Sequence, residues 1–278
     1  MDGNTSVVGS LLREWRGLRR MSQLDLALVA EISPRHLSFM ETGRAVPSRD
    51  MVLTLARALE VPFRDRNAML TAAGYAPVYR ETSLDDPRMA EMRHALELLL
   101  RQHEPFIAVA LDRRWDIVMC NAAYARFLEM IGGAALRLEP YRVLTAPRHN
   151  LLKLLFGPFK PIVANWEEAA REVLERAQRE AATDRDPARR QILEECLRAA
   201  PPEWRTPRAE VPPRLVVTVD VRLGDLRARL FSTITTLGTA QDITLQELHI
   251  ESFHPADAES ERLARALSAE QDQEISSS

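Results

Sequence analysis

The stretch "SQLDLALVAEISPRHLSFMETGRAVPS", residues 22–48, contains two short helix patterns separated by a tight turn. Ser22 and Asp25 have the spacing of a capping box, which predicts the start of the first helix. Ser33 can cap the second helix, and Pro34 suits its first turn because the N–H that proline lacks would have no partner there. The stretch therefore predicts a helix, a turn and a second helix.

The second of these helices has a narrow apolar side. Leu37 and Met40 form its inward-facing pair, so we expect Arg35, His36 and Phe39 on the outer side. Arginine can donate two hydrogen bonds to guanine, histidine can bond a base edge, and phenylalanine can contact the thymine methyl group. In a helix-turn-helix the second helix enters the major groove, so the pattern predicts that these three side chains contact bases.

The polar side chains around this helix are candidates for phosphate contacts, which position a protein on DNA. They are Gln23, Ser33, Thr42, Arg44 and Arg49. The alternative is the solvated face of a helical bundle, since exposed charge is the norm on protein surfaces. Residues 1–78 carry a net charge of +2 and the remainder −5, so any polyanionic partner belongs to the first segment.

Hydrophobic periodicity predicts two domains and a tail. Residues 1–78 form five short helices, residues 79–88 a polar linker, and residues 89–257 an α+β domain. Residues 258–278 are a polar C-terminal tail, expected to be a short polar helix or disordered. In the second domain we expect about five antiparallel strands, two before a helical region and three after it. The last three come from "RLVVTVDVRL", "DLRARLFSTITTL" and "ITLQELHIESF", and Gly224-Asp225 predicts a tight hairpin between the first two.

Residues 22–48 resemble the phage-repressor-like (XRE) helix-turn-helix. They share a Gln one residue after the cap, a Leu-Ala pair, and Glu-x-Gly-Arg followed by Pro-Ser. The resemblance implies a partly buried ion pair between Arg16 and Glu41. One departure is Glu31, which occupies a turn position where such domains usually carry glycine. A positive φ there would cost a non-glycine residue about 1 kcal/mol, so we expect a slightly altered turn.

Further segments extend the resemblance to residues 8–257. They include "RNAMLTAAGYAP", "DRRWDIVMCNAA", "NLLKLLFGPF", "VANWEEAA" and "STITTLGTAQDITLQELHIESFHPAD". Taken in order, they are similar to the MmyB-like transcription regulators. That resemblance implies a C-terminal PAS-like domain that senses a small, fatty-acid-like molecule.

The predicted sheet and its covering helices can enclose an apolar pocket with a few polar groups. The candidate lining residues have aromatic, aliphatic or amide side chains. They are Trp115, Asn121, Tyr124, Phe127, Leu151, Leu154, Leu155, Phe156 and Trp166. Each has a structural alternative, since leucine and phenylalanine at helical spacing more often belong to the core. Asn121 can equally be a helix cap.

Several function classes lack support in the sequence. We find no HExxH pattern, glycine-rich phosphate loop or Gly-x-Ser-x-Gly elbow, so we expect no enzyme activity, catalytic residue, metal or cofactor. The longest apolar run, residues 106–111, is too short to span a bilayer, and the N-terminus resembles no signal peptide, which favours a cytoplasmic protein. Cys120 and Cys196 are expected to be buried, reduced thiols.

The sequence thus predicts a ligand-responsive transcription regulator that binds double-stranded DNA as a homodimer. Two alternatives remain. In one, the C-terminal domain serves only dimerisation or protein contacts; in the other, it is an enzyme with an autoregulatory DNA-binding domain.

Overall fold

The computed structural model describes residues 7–181, 186–205 and 217–276, with side chains up to residue 269. The chain forms two compact units. Unit 1 comprises residues 1–82 together with residues 238–246, and unit 2 comprises residues 83–237 and 247–278. No helix in the described ranges is long and apolar enough to span a membrane.

Unit 1 contains the five predicted helices, which are α1 (Val7–Leu18), α2 (Gln23–Val29), α3 (Pro34–Glu41), α4 (Arg49–Ala58) and α5 (Phe63–Ala72). Serine hydroxyls cap three of them, because Ser22, Ser33 and Ser48 each accept a hydrogen bond from a backbone N–H in the first turn. Ser22 and Asp25 form the predicted capping box. These caps satisfy N–H groups that have no partner within the helix.

The core of unit 1 holds α1, α2 and α3 at close range. Leu12, Leu26, Leu37 and Met40 are fully buried in it, and both residues of the predicted inner pair of α3 are therefore inside. Gly9 of α1 lies so near the end of α3 that an added Cβ would come 2.5 Å from the carbonyl oxygen of Met40. Only glycine allows this approach of the two helices.

The turn between α2 and α3 contains a residue in the left-handed region of the backbone. Glu31 adopts φ +54°, a conformation that favours glycine. The N–H of Ile32 reaches the carbonyl of Ala27 at 2.9 Å, which closes the turn. Glu31 therefore carries the backbone strain expected of a non-glycine residue at this position.

A short segment between the last two strands of the sheet belongs to unit 1. Ile243 is buried there and donates its N–H to the carbonyl of Arg80 at 2.8 Å. Asp242 accepts hydrogen bonds from the hydroxyl and the N–H of Thr82, at 2.7 and 3.3 Å. The side chain of Gln246 accepts one from the N–H of Phe63 at 2.7 Å. Residues 238–246 are thus fixed by specific polar contacts.

Unit 2 is built on a five-stranded antiparallel sheet. Its strands are β1 (Ala108–Leu111), β2 (Ile117–Cys120), β3 (Thr218–Leu223), β4 (Leu226–Thr236) and β5 (His249–Pro255), in the spatial order β2-β1-β5-β4-β3. Gly224, at φ +58°, forms the predicted tight hairpin between β3 and β4. The order brings β1 beside β5, which places the early hairpin and the late strands in one sheet.

Further helices lie before, between and after these strands in the chain. They are α6 (Ala90–Gln102), α7 (Ala122–Gly132), α8 (Leu151–Phe156), α9 (Trp166–Ala181), α10 (Pro187–Ala199), α11 (Ile243–Glu247, mostly within unit 1) and α12 (Ala258–Ser276). Short 3₁₀ helices occupy Pro87–Met89, Gly133–Leu136 and Pro202–Arg205. Cys120 and Cys196 are buried free thiols, as expected, and burial raises the pKa of Cys120 to about 12. The fold is therefore a helical helix-turn-helix unit followed by an α+β, PAS-like unit.

One segment differs from the sequence prediction. Residues 243–247 form a helical turn instead of the start of a strand, because Asp242 accepts a hydrogen bond from the N–H of Thr244 and so caps that turn. Of the two states expected for the C-terminal segment, the structure has the helix, α12, in which Ser260 is buried and accepts a hydrogen bond from the N–H of Arg229 in β4 at 2.8 Å. Residues 214–216, predicted to begin a strand, lie outside the described ranges.

Candidate DNA-binding and ligand-binding sites

The candidate DNA-contacting helix, α3, is anchored by a buried carboxylate. Arg16 of α1 donates hydrogen bonds from Nε and Nη2 to the two carboxylate oxygens of Glu41, at 2.7 and 3.1 Å, which confirms the ion pair. Glu41 is only 1% exposed. Burial by itself would raise its pKa, but the hydrogen bonds from Arg16 and Gln23 outweigh burial and leave the pKa below its usual value. Glu41 therefore stays ionised and ties α3 to α1.

The outer side of α3 presents the expected side chains. Arg35 and His36 are exposed and Phe39 is half-buried. The guanidinium carbons of Arg35 and Arg44 lie 5.3 and 5.8 Å from the centroid of the Phe39 ring, so two cations are close to this ring. The structure thus places a positively charged cluster around one aromatic ring on the exposed side of α3.

The expected phosphate-contacting residues occupy different settings. Arg49 is exposed at the start of α4, and the Thr42 hydroxyl donates to the carbonyl of Ser38 at 2.7 Å. Ser33 is the cap of α3. The amide of Gln23 donates to Glu41 at 2.7 Å, a contact that the sequence did not predict. The amide nitrogen carries a second hydrogen, so Gln23 retains one donor.

Unit 2 encloses an apolar cavity of about 500 Å³. Its walls come from the sheet, α7, α8 and α9, and five of the predicted residues line it: Trp115, Tyr124, Phe127, Leu151 and Leu155. Additional wall residues come from the late strands and include Val219, Val221, Leu230, Phe231 and Phe253. The alternation of apolar residues in "TVDVRL" could have indicated the β3 members, because every second side chain of a strand shares one face.

The other predicted residues lie outside this cavity wall. Asn121 is fully buried and caps α7, and its side chain also bonds the N–H of Ala108 and the carbonyl of Phe106. Phe156 and Trp166 pack with Trp204 in a separate aromatic cluster, where the Trp166 Nε1–H donates to the carbonyl of Leu155. Leu154 belongs to the general core. Asn121, Leu154, Phe156 and Trp166 therefore each contribute to the structure of unit 2 and not to this cavity wall.

Polar groups at one side of the cavity were missed from the sequence. Arg176 of α9 donates to Glu251 of β5 at 3.1 Å, and Glu251 is only 3% exposed. The Arg176 guanidinium carbon lies 4.4 Å from the centroid of the Trp115 ring. Arg179 and Glu172 also line the wall, 3.8 Å from each other. A glutamate inside the apolar strand "HIESF" was the available signal, since buried carboxylates occur with a partner.

Three buried polar atoms of this wall have no hydrogen-bond partner within the described part of the protein. They are Trp115 Nε1, the Tyr124 hydroxyl oxygen and Arg176 Nε. Burial, with the charges of Cys120 and Glu251, raises the pKa of Tyr124, so this hydroxyl keeps its proton. Trp115 adopts φ +67°, a conformation that a bulky residue rarely takes. These three polar atoms therefore belong to residues of the cavity wall but have almost no accessible surface of their own.

A second cavity of about 490 Å³ lies beside the first. The two share five apolar wall residues: Ile107, Phe127, Val221, Leu230 and Phe253. Ser260, Leu263 and Leu267 of α12 line the second cavity. Neither cavity contains a metal-ligating cluster, and no group of three or more His, Cys, Asp or Glu suited to a metal occurs among the described residues.

Comparison with known proteins gives two family matches. Residues 12–65 match the helix-turn-helix family, and residues 92–267 match the MmyB-like transcription regulator ligand binding domain. These are families of DNA-binding and ligand-binding domains, not of enzymes. No curated protein matches the chain.

One solved structure, "Structure of an RNA-binding Light-Oxygen-Voltage Receptor", has 14% sequence identity and a TM-score of 0.24. The match covers 98% of this chain and 64% of that structure's length, and a superposition this poor supports no inference. The family matches span both units. The chain belongs to the MmyB-like transcription regulators, with a helix-turn-helix DNA-binding domain and a ligand-binding domain.

Proposed function

We propose that this regulator changes its affinity for DNA when an apolar, lipid-like molecule occupies unit 2. The observation that carries the proposal is the 500 Å³ cavity lined by aliphatic and aromatic side chains. Cavities of this size and composition are typical of small-molecule sites, whereas a domain that serves only dimerisation needs no internal space. Fatty-acid-like acyl compounds are the first candidates, because a hydrocarbon chain suits such walls.

DNA contact is proposed for the exposed side of α3. Arg35, His36 and Phe39 would contact base edges, and Ser33, Thr42, Arg44, Arg49 and Gln23 would contact phosphates. The support is the exposure of Arg35 and His36 and the position of two guanidinium groups beside Phe39. A DNA-binding role is consistent with the cytoplasmic location expected from the sequence.

A homodimer is proposed because α3 has only eight residues and offers three side chains to the bases. Two copies would contact half-sites about 34 Å, or one helical turn, apart. Sedimentation of the protein with DNA, combined with footprinting, tests this arrangement. We expect two chains on a two-fold related site, whereas one chain on an asymmetric site would contradict the dimer.

We propose that residues 238–246 transmit the effect of ligand binding in unit 2 to DNA binding by unit 1. This segment connects β4 and β5, whose residues Leu230, Phe231, Glu251 and Phe253 line the cavity. The segment itself belongs to unit 1 and is held there by Asp242, Ile243 and Gln246. A ligand can shift DNA affinity only if it favours one arrangement of the protein over another, and this segment gives the cavity strands a direct connection to unit 1.

Asp242→Ala tests this connection. It removes the hydrogen bonds to Thr82 and the cap of α11 but no cavity residue. We expect unchanged ligand affinity and a smaller ligand-dependent change in DNA affinity. A matched control is Asp225→Ala in the β3–β4 turn, which should leave both unchanged. If the ligand changes the DNA affinity of Asp242→Ala as much as that of the wild type, residues 238–246 do not transmit the effect of the ligand.

Native mass spectrometry of the purified protein tests the ligand proposal. We expect a co-purifying small molecule of lipid-like mass that is released on denaturation. A protein that carries no such molecule and binds none of a series of acyl compounds would favour the alternative in which unit 2 serves only dimerisation or protein contacts.

A further inference from the structure

The second cavity is bounded by one side of α12 and one face of the sheet. Ser260, Leu263, Ala264 and Leu267 of α12 line it, and their i, i+3, i+4, i+7 spacing places them on one side of the helix. The sheet contributes alternate residues of the paired strands β3 and β4, which share one face. They are Val221, Leu223, Leu226, Ala228 and Leu230. The apolar side of a helix and the apolar face of a sheet therefore line the same space.

The side chains of these two surfaces do not fill that space. In a close-packed interior, facing side chains interdigitate and leave few voids larger than a water molecule. Here the space is about 490 Å³, and Leu226, Leu263 and Leu267 are only half-buried although they line it. Met130 of α7 lines the same cavity and is 43% exposed. The wall thus retains accessible apolar surface, which an apolar occupant would remove from water.

The position of α12 limits the occupant to a small molecule. The hydroxyl of Ser260 accepts a hydrogen bond from the N–H of Arg229 in β4 at 2.8 Å, and the N–H of Ala256 donates to the carbonyl of Arg229 at 2.8 Å. The start of α12 is therefore fixed to β4, and α12 occupies the place over the sheet that a helix of a partner protein would need. The volume of the cavity lies within the range of small-molecule sites, about 300–1,000 Å³.

The polar residues of the wall favour an occupant without charge. Ser260 is only 3% exposed, and its hydroxyl already accepts the hydrogen bond from Arg229. Arg126 and Glu129 both line the wall and carry opposite charges, and Glu104 lies 3.9 Å from Arg126. A charged ligand group near these residues would have a charge of its own sign beside it, which is unfavourable.

We propose that the second cavity is a separate ligand site, which binds a small, uncharged apolar molecule such as an alkylbenzene or a short alkane. One wall of the site is α12, whose leucines do not line the first cavity. Unit 2 therefore has two apolar sites. The second site does not depend on the proposed function of the first, because residues of its own, among them Leu226, Ala228, Leu263 and Leu267, form much of its wall.

Leucine-methyl NMR of the delipidated full-length protein, titrated with butylbenzene, tests the site. Leu263 and Leu267 report on the second cavity, whereas Leu151 and Leu155 line only the first. We expect saturable shifts of the Leu263 and Leu267 signals, together with intermolecular NOEs between these methyl groups and the ring of butylbenzene. Such NOEs require direct contact, so they exclude an indirect effect of binding in the first cavity.

The pattern of signals separates the two cavities. If Leu151 and Leu155 give NOEs to butylbenzene and the two leucines of α12 give none, the second site is wrong and the first cavity remains a ligand site. If only the leucines of α12 give NOEs, the second site is supported and an apolar ligand in the first cavity is contradicted. If none of the four leucines contacts butylbenzene, both sites are wrong.

A cavity-filling variant gives an independent test. Ala264→Phe places a ring in the second cavity and should weaken butylbenzene binding there at least tenfold, without a change at Leu151 and Leu155. The matched control is Ala266→Phe, the same substitution on the exposed side of α12, which should leave both cavities unchanged. Val173→Phe, in the wall of the first cavity only, should weaken binding at Leu151 and Leu155 alone. Wild-type affinity at the α12 leucines in Ala264→Phe would overturn the assignment, and the wild-type NOEs decide it if this variant does not fold.

Discussion

Arg16 in α1 and Glu41 at the end of α3 form a partly buried, two-point ion pair, although 25 positions separate them in the chain. Gln23 of α2 donates to the same carboxylate, and Arg13 donates to the backbone carbonyl of Glu41 at 2.6 Å. One carboxylate thus joins the first three helices. The orientation of the exposed side of α3, the candidate DNA-contacting surface, depends on it.

Arg16→Met should destabilise unit 1 by about 3 kcal/mol, because it leaves the buried Glu41 carboxylate without its main partner. Hydrogen exchange of α1 and α3 amides in the full-length chain measures the effect, and exchange should accelerate on the order of 100-fold. Arg57→Met is the control, since this exposed side chain bonds the carbonyl of Leu53 in its own helix and, among the described residues, no buried carboxylate. Equal exchange in both variants would show that the ion pair has no structural importance.

Arg35→Ala and Arg44→Ala should affect DNA binding differently. Arg35→Ala should weaken binding to the preferred sequence by about 1–3 kcal/mol and relax the base preference at one position. Arg44→Ala should weaken all sequences similarly and reduce the salt dependence, as expected for a phosphate contact. Affinities for preferred and random duplexes, measured over a range of salt concentrations, separate the two. If Arg35→Ala binds both duplexes as the wild type does, α3 is not the recognition helix.

Glu31→Gly should stabilise unit 1 by about 0.5–1 kcal/mol. The left-handed φ of +54° is unfavourable for glutamate and free of strain for glycine, although glycine loses more entropy on folding. Glu14→Gly, in the regular helix α1, should instead cost about 1 kcal/mol. Chemical denaturation of each variant, monitored by hydrogen exchange of the α2 amides, measures the two changes in stability. A destabilised Glu31→Gly protein would mean that the Glu31 side chain makes a contribution larger than the backbone strain.

The stability of unit 2 should decrease as pH falls below about 6.5. Burial lowers the pKa of His249, while the nearby carboxylates of Glu251 and Glu180 oppose that effect. A histidine with a lowered folded-state pKa contributes fully above its unfolded value of about 6.5 and loses its contribution as pH falls through the folded value. His254 has a shift of the same sign, caused by burial and His103.

Thermal unfolding between pH 7.5 and 5.5 measures this dependence. His249→Gln should remove part of it, whereas His36→Gln, at an exposed position of α3, should not alter it. If the unfolding temperature depends on pH identically in the wild type and in His249→Gln, His249 does not cause the loss of stability.

Local patterns predicted much of the fold. The caps Ser22, Ser33 and Ser48 set three helix starts, and Gly224 marked the hairpin, because each effect acts within a few residues. The helical turn at residues 243–247 was missed. Its cap, Asp242, bonds the N–H of Thr244 two residues on, which is a local signal, but the surrounding β-rich run was interpreted as one strand. The second contact of Asp242, with Thr82 160 positions away, leaves no local signal.

The residues of the two candidate sites were also predicted only in part. Trp115 and Tyr124 were expected in the pocket because their types and positions suited an apolar wall. Arg176 was not expected, since an arginine on an amphipathic helix is usually solvated and its partner Glu251 lies 75 positions away. Gln23 was assigned to phosphate, because the sequence cannot show that a buried carboxylate lies within reach of its amide.

The central claim is that occupancy of the cavity changes DNA affinity. Selection from a random duplex library supplies the preferred sequence, and fluorescence anisotropy at fixed salt then measures its Kd with the delipidated protein and with the protein saturated by methyl decanoate. A coupling of about 1–3 kcal/mol predicts a change in Kd of about 5- to 150-fold. An identical Kd for the empty and the saturated protein, with saturation verified by calorimetry, would contradict the account.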